Sequence, residues 1–364
     1  MNNKVLFADQ LRSLAFLSVV VVHWFGVFWA QPKVISDALN APEIEEISSN
    51  IYYQLLPPLT NFNYGPFGVS LFFLISGFVI PFSLSKKTRS GFLIARALRI
   101  YPVYIISSLI MLLTLYLTSK YYWGTAKYFD FYTILKNLTL TQSIFNAQSI
   151  DMVNWTLSIE LKFYFFCVLF YSAINNAKIF PIFLLGLFSL ILIYTTNSQA
   201  PICNIGQFSI SFSAIKDELI YMCFMSIGIL FHFNHMQKIS TNTMVVSGVG
   251  IISIILLMCK IKMDAASFSG LTLNYSYGLT VFFMVFLLRD KVKKVKILAF
   301  LSGISYPFYV LHSIVGYSML RILVDKGINF IYAFTFTFVV VLLIAFLMHA
   351  TIEKYTIQMG RHFK

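Results

Sequence analysis

Two ionisable side chains, Arg12 and His23, lie eleven residues apart in the first apolar segment of the chain. Eleven residues make about three turns of an α-helix, so both side chains project from one face, about 16 Å apart along the axis. Such a pair on a membrane helix is costly unless partners lie nearby, and it is therefore a candidate functional site. The alternative is an arginine that snorkels to the interface and a histidine hydrogen-bonded in the core.

The composition indicates that these residues belong to a membrane protein. Of 364 residues, 58% are hydrophobic and only 11% are charged, and the mean hydropathy is +0.77. Apolar runs long enough to cross a bilayer recur along the whole chain. We predict an all-α polytopic membrane protein with about ten transmembrane helices, the first of which is not a cleaved signal peptide. The predicted spans are 8–29, 67–84, 98–118, 154–174, 179–196, 214–233, 243–260, 271–288, 297–320 and 330–352.

The basic residues predict the orientation. With the N-terminus inside and ten crossings, seventeen lysines and arginines fall in inner segments and eight in outer loops. This bias follows the positive-inside rule, so we expect both termini to be cytoplasmic. The net charge of +13 is then explained by topology. We therefore expect a lipid bilayer, and no nucleic acid, among the partners.

A second pair of basic residues, Arg96 and Arg99, lies at the inner mouth of the third span. Residues three apart share a helix face, and arginine geometry suits phosphate, so the pair is a candidate phosphate fork. The alternative is an ordinary topology anchor of the positive-inside kind.

Two more ionisable residues lie within predicted spans. Glu160 is two turns into the fourth span and His312 is fifteen residues into the ninth, which places both in the outer half, at the depth of His23. A carboxylate beside an imidazole fixes its tautomer and stabilises the imidazolium. We therefore predict that Glu160 orients or charges His23 as a general base and that His312 assists.

Small residues mark one face of the second span. Ser70, Ser76 and Gly77 would let another helix, or a ligand, approach closely. The pattern by itself is more often helix packing than binding.

Several other polar residues are predicted to be structural. Lys162 is expected to pair with Asp217 or Glu218, and His349 to serve packing near the inner end of the last span. The four cysteines have no metal-like spacing and indicate no disulfide framework. We predict no metal ligand.

With these residues in place, the chain resembles the integral-membrane acyltransferase-3 family, which includes O-acetyltransferases of bacterial surface polysaccharides. The resemblance covers essentially the whole chain, and its motifs occur in the family's order. They are Arg12 with His23, Phe72-Phe73-Leu74-Ile75-Ser76-Gly77-Phe78, Arg96 and Arg99-Ile100-Tyr101-Pro102, Trp155-Thr156-Leu157-Ser158-Ile159-Glu160 with Phe163-Tyr164, Ser305-Tyr306 with Tyr309 to His312, and Ile352-Glu353-Lys354.

The resemblance implies a single membrane-embedded acyltransferase domain over residues 1–364, with no fused soluble domain, in the bacterial inner membrane. It implies an acetyl-CoA-dependent O-acetyltransferase. Acetyl-CoA would be the acyl donor, a co-substrate, and the acceptor would be a sugar hydroxyl of a cell-surface or lipid-linked polysaccharide.

The resemblance also suggests roles for the residues. Arg12, Arg96 and Arg99 would hold the phosphates of acyl-CoA at the inner mouth through charge-assisted hydrogen bonds. The pantetheine arm would then carry the thioester up to His23. The three catalytic residues implied are His23, Glu160 and His312.

Two other interpretations remain open from the sequence. The same polar residues would also suit a transporter or flippase for a lipid-linked glycan. The enzyme class could also be kept with another acyl group, such as succinyl, or with a non-glycan acceptor such as an antibiotic or a lipid. An enzyme would consume acetyl-CoA and release a free thiol, whereas a transporter would move its substrate unchanged. The sequence names neither the acceptor nor the oligomeric state.

Overall fold

The computed structural model describes residues 5–44, 61–195, 201–205 and 208–363, which are mostly helical. Strands β1 (Pro201–Ile205) and β2 (Phe208–Ser211) pair as an antiparallel hairpin. The all-α prediction is confirmed for the bundle, and this hairpin is its exception. The helices are α1 Leu6–Ala30, α2 Pro32–Leu39, α3 Tyr64–Leu84, α4 Arg89–Tyr122, α5 Phe131–Leu138, α6 Trp155–Leu169, α7 Tyr171–Asn175, α8 Phe180–Thr195, α9 Phe212–His235, α10 Thr241–Lys262, α11 Ala265–Leu287, α12 Lys296–Leu311, α13 Ile314–Asp325 and α14 Phe330–His362.

Polar caps fix where several helices begin. The side chain of Asn63 accepts a hydrogen bond from the Gly65 backbone at 2.9 Å at the start of α3. Thr88 accepts one from the Gly91 backbone at 3.2 Å before α4. Such caps satisfy amide groups that have no partner within the helix, and they stop the apolar segments at defined residues.

Within the described residues, six helices are long and apolar enough to cross a membrane: α1, α3, α4, α10, α11 and α14. The predicted ninth span is the pair α12 and α13, which is bent by 73° and would make a seventh crossing if counted as one. The predicted fourth and fifth spans correspond to shorter helices, α6 with 15 residues and α8 with 16. The chain is thus a multi-pass membrane protein, while ten crossings and cytoplasmic termini remain predictions.

Helix α3 lies at the centre of the bundle, packed against α1, α9 and α11. A Cβ atom at Gly77 would lie 1.9 Å from the Met225 carbonyl oxygen, and one at Gly228 would lie 2.4 Å from the Leu74 oxygen, so α3 and α9 pack backbone against backbone. The predicted close approach at Gly77 is confirmed. This backbone contact between α3 and α9 fixes the positions of the polar residues of α3 in the core.

The segment that leads into α6 is folded into the bundle. Gln142 and Asn154 are both buried, and the Gln142 amide donates to the Asn154 side chain at 3.1 Å. The Asn154 amide in turn donates to the Tyr104 hydroxyl at 3.2 Å. Helix α6 therefore begins inside the protein rather than at its surface.

An ion pair between a buried glutamate and a partly buried lysine ties α6 to α9. Lys162 Nζ lies 2.8 Å from Glu218 Oε2, and Ser143 donates to the other oxygen of that carboxylate at 2.7 Å. The prediction that Lys162 pairs with one of the two acidic residues of α9 is confirmed.

Candidate active site

A cavity of about 880 Å³ lies between α1, α3, α4, α6, α12 and α14. Its volume is at the upper end of the range of about 300–1,000 Å³ for small-molecule and cofactor sites. Along α3 it extends from Val69 to Ile80, about 16 Å of helix. Five cationic side chains outnumber three acidic ones in its wall. They are Arg12, Arg96, Arg99, Lys294 and Arg361, with Asp9, Glu160 and Glu353.

The three arginines predicted to hold phosphates all lie in this cavity, and we call them the arginine cluster. Arg12 from α1 is 3.5 Å from Asp9. The Arg96 guanidinium lies over two rings, 5.2 Å from the centroid of Phe92 and 5.4 Å from that of Tyr164. Arg96 and Arg99, three residues apart on α4, therefore line the same cavity, as predicted.

Arg99 differs from the other two arginines. Among the described residues, its side chain forms no hydrogen bond and no ion pair. It lies close enough to Glu160 and Glu353 to interact with their charges. Arg99 thus makes neither the ion pair of Arg12 nor the ring contacts of Arg96, and its donors, like the unpartnered buried Nε of Arg96, are free to bind an anion.

Glu160 lies with the arginine cluster and not beside His23. Tyr164 donates its hydroxyl to Glu160 Oε1 at 2.5 Å, and Ser76 donates to the same oxygen at 3.5 Å. The expected contact between Glu160 and His23 is absent from the part of the chain that the structure describes. The reason is the buried start of α6, which places Glu160 deeper than the helical rise from an outer surface would give.

His23 lies on a π-helical turn of α1, Val22–Val27. Its Nδ1 is 2.6 Å from the hydroxyl oxygen of Tyr317 on α13, and that hydroxyl is also 3.4 Å from the His23 carbonyl oxygen. Turns of this kind are rare and frequently occur at functional sites. The partner that orients His23 is therefore a tyrosine, which sequence reasoning missed.

His312 lies at the bend between α12 and α13, in contact with His23. The two ring centroids are 5.0 Å apart, and we call these residues the histidine pair. His312 Nδ1 is 2.6 Å from the Tyr309 carbonyl oxygen, which can only accept, so Nδ1 carries the proton. The Nε2 atom of this fully buried ring is then unprotonated and carries a lone pair. It has no hydrogen-bond partner among the described residues.

The bend itself is fixed by packing. Ser313 has ψ −97°, outside the helical range, and it interrupts the hydrogen-bonded ladder after Leu311. Trp24 donates its ring N–H to the His312 carbonyl at 3.0 Å. A Cβ at Gly316 would lie 2.6 Å from the Trp24 ring, so the small residue lets this ring fit. The result is that Tyr317 is turned back toward His23.

A buried carboxylate near the histidine pair is a second residue that sequence reasoning missed. Asp151 is 4% exposed, and burial raises its pKa to about 6, although the nearby Ser313 side chain opposes this rise. Its Oδ1 makes no hydrogen bond within the described residues. It also lies near enough to Tyr317 to act on it electrostatically. The only sequence signal was an isolated acidic residue just before the fourth span.

One residue expected to serve packing lies instead in the cavity. His349 Nδ1 is 2.6 Å from Glu353 Oε2 across a π-helical turn of α14, and both residues line the cavity. The prediction for His349 is therefore wrong. The signal was the four-residue spacing of a histidine and a glutamate, which share a helix face.

A protein-family model matches most of the chain. The Acyl_transf_3 family model, described as an acyltransferase domain, matches residues 5–350. Curated proteins and solved structures gave no match. The matched range contains all six predicted site residues, from Arg12 to His312. On this evidence the chain belongs to the acyltransferase-3 family of membrane acyltransferases.

Proposed function

We propose that this membrane acyltransferase transfers an acetyl group from cytoplasmic acetyl-CoA to a sugar hydroxyl of a cell-surface or lipid-linked polysaccharide. One observation carries the proposal. A single cavity holds the arginine cluster and extends to Tyr309, whose carbonyl oxygen accepts the hydrogen bond from His312. An anion-binding region thus leads toward a pair of imidazoles, as a donor with phosphates at one end and a thioester at the other requires.

The arginine cluster is proposed as the phosphate site. Arg99 has free donors, and Arg12 and Arg96 add positive charge from two helices. Bidentate arginine contacts suit phosphate oxygens and are stronger than contacts between neutral groups. Glu160 is proposed to act here, where its carboxylate offsets part of the cluster's charge and fixes Tyr164 beneath Arg96.

The histidine pair is proposed as the catalytic centre. With the Tyr317 hydroxyl donating to the His23 carbonyl, His23 Nδ1–H donates to the tyrosine oxygen, and Nε2 is left basic. His23 Nε2 then removes the proton of the sugar hydroxyl, whose oxygen forms the ester bond as the carbon–sulfur bond breaks. The proton returns to the leaving thiolate, and free coenzyme A results. His312 positions the reacting groups through its buried Nε2. In a variant of this scheme, His23 itself accepts the acetyl group transiently before the sugar hydroxyl receives it.

The test uses membranes from cells that express the chain or its His23→Ala variant. The wild-type chain should release free thiol from acetyl-CoA, and mass spectrometry should find acetyl esters on the surface glycans. His23→Ala should lower transfer by about 10²–10⁴-fold, the usual contribution of a general base. His362→Ala, an exposed histidine outside the site, is the matched control.

Two outcomes would contradict the proposal. A folded His23→Ala protein that acetylates at the wild-type rate would remove this histidine from the reaction. If the His23→Ala cells lose glycan export and the wild-type chain consumes no acetyl-CoA, the transporter or flippase would be favoured. Consumption of succinyl-CoA, or acylation of a lipid or antibiotic, would keep the enzyme class and change the substrate.

The orientation is part of the proposal, with both termini cytoplasmic in a bacterial inner membrane. A cysteine introduced at Glu43 should react with an impermeant maleimide in intact spheroplasts, and one at Lys293 should not. The opposite labelling would place the arginine cluster on the wrong side for cytoplasmic acetyl-CoA.

A further inference from the structure

The cavity that holds the arginine cluster stops one residue layer short of the histidine pair. Thr156 and Tyr309 both line it at the end away from Arg361, whereas neither His23 nor His312 is in its wall among the described residues. An acyl group that enters past the arginines therefore meets Thr156 and Tyr309 before it reaches an imidazole.

Two hydrogen bonds hold the Tyr309 ring in this position. Its hydroxyl donates to the Val153 carbonyl at 2.9 Å and accepts from the Thr156 hydroxyl at 2.7 Å. The ring also contacts the rings of Phe72 and His312, with centroids 5.9 and 5.5 Å away. Swinging the ring aside would break both hydrogen bonds, so the ring is held at this end of the cavity.

We propose that Thr156 and Tyr309 together select the acyl group by size and admit acetyl in preference to longer chains. The inference rests on the proposed function, because it names what limits the donor of that same site. A longer acyl chain must fit its extra methylenes beside a ring that is fixed at its hydroxyl and in contact with Phe72 and His312. Apolar pockets separate substrates that differ by one methylene by about 10–200-fold.

The experiment compares acetyl-CoA, butyryl-CoA and hexanoyl-CoA as donors. The assay uses membranes from cells that express the full chain, because these membranes also contain the acceptor. It measures the release of free coenzyme A from each donor. Tyr309→Leu should raise kcat/KM for butyryl-CoA relative to acetyl-CoA by at least about tenfold. Tyr309→Phe keeps the ring but removes its hydrogen bonds, so it should shift the ratio in the same direction by less.

Tyr306 provides the matched control, because it lines the same cavity one turn earlier on α12 and donates to the Ile100 carbonyl at 2.8 Å. Tyr306→Leu should leave the butyryl-to-acetyl ratio within about twofold of wild type. This is well below the change of about tenfold that one methylene causes in a selective pocket. Thr156→Ala removes one hydrogen bond and a methyl group without touching the large ring, and it covers the case in which Tyr309→Leu does not fold.

The outcomes separate this proposal from the one it rests on. A wild-type chain that uses acetyl-CoA, with folded Tyr309→Leu and Thr156→Ala variants of unchanged ratio, would overturn size selection and leave the acyltransferase proposal intact. Equal shifts in the Tyr306→Leu and Tyr309→Leu variants would also overturn it, since selection would then belong to the cavity as a whole. A wild-type chain that uses no acyl-CoA of any length would overturn both.

Discussion

Replacing Arg99 by alanine should weaken coenzyme A binding without harming the fold. Its guanidinium lies in the cavity and forms no hydrogen bond or ion pair within the described residues, so its removal takes away only the longer-range attraction to Glu160 and Glu353. A hydrogen bond to a charged group contributes about 1.5–3 kcal/mol. Loss of one such contact corresponds to a rise in Kd of about 10- to 150-fold. Arg99→Lys should recover only part of this, because a bidentate fork becomes a point charge.

The measurement is calorimetric titration of the detergent-solubilised protein with coenzyme A. Arg89→Ala is the control on the same helix, because the Arg89 guanidinium lies 5.7 Å from the Tyr171 ring, away from the cavity. Arg96→Ala should differ from Arg99→Ala in one respect. It also removes the packing of Arg96 over two rings, so the melting temperature should fall together with the affinity. Unchanged coenzyme A affinity in folded Arg99→Ala would refute the phosphate site and reduce the arginine to a topology anchor.

Three further predictions follow from the histidine pair and the bundle core. Tyr317→Phe should lower kcat by about tenfold, the value of one lost hydrogen bond to His23, and should leave the coenzyme A Kd unchanged in the same titration. Asp151 has a pKa of about 6 against an ordinary 3.8, so the free energy of unfolding should fall by about 3 kcal/mol as the pH rises from 4 through 6. Thermal unfolding of Asp151→Asn should lack this fall, and an unchanged fall would assign it to another group. Gly77→Ala should destabilise the fold by about 1–3 kcal/mol, whereas Gly303→Ala, whose added Cβ would meet no atom within 4 Å, should not lower the melting temperature.

The sequence allowed the arginine cluster to be predicted because its members are close along the chain or follow helix periodicity. Arg96 and Arg99 need only one helix to share a face, and the family motifs place Arg12 with them. The depth of Glu160 could not be predicted in the same way. It depends on where α6 begins, and that is set by the side-chain contacts of Gln142 and Asn154 within the bundle.

The pairing of His23 with Tyr317 could not be predicted for a similar reason. The apolar run from 297 to 320 reads as one continuous span, yet the structure bends by 73° after Leu311. Pro307 is the only proline in that run, and the bend comes several residues later, at Ser313. It is fixed by the fit of Trp24 against Gly316. A tertiary contact therefore decides which side chain faces the histidine.

The backbone contact between α3 and α9 has a mechanical consequence for how a large donor enters. Two helices that meet at Gly77 and Gly228, with no side chain between them, cannot slide past each other without collision, so they act as one stiff strut. Among the described residues, no glycine contact of this kind joins α12 or α14 to α3. The α3 wall of the cavity, from Val69 to Ile80, should therefore stay fixed when a donor enters, and any widening should come from the α14 wall, at the end away from Tyr309.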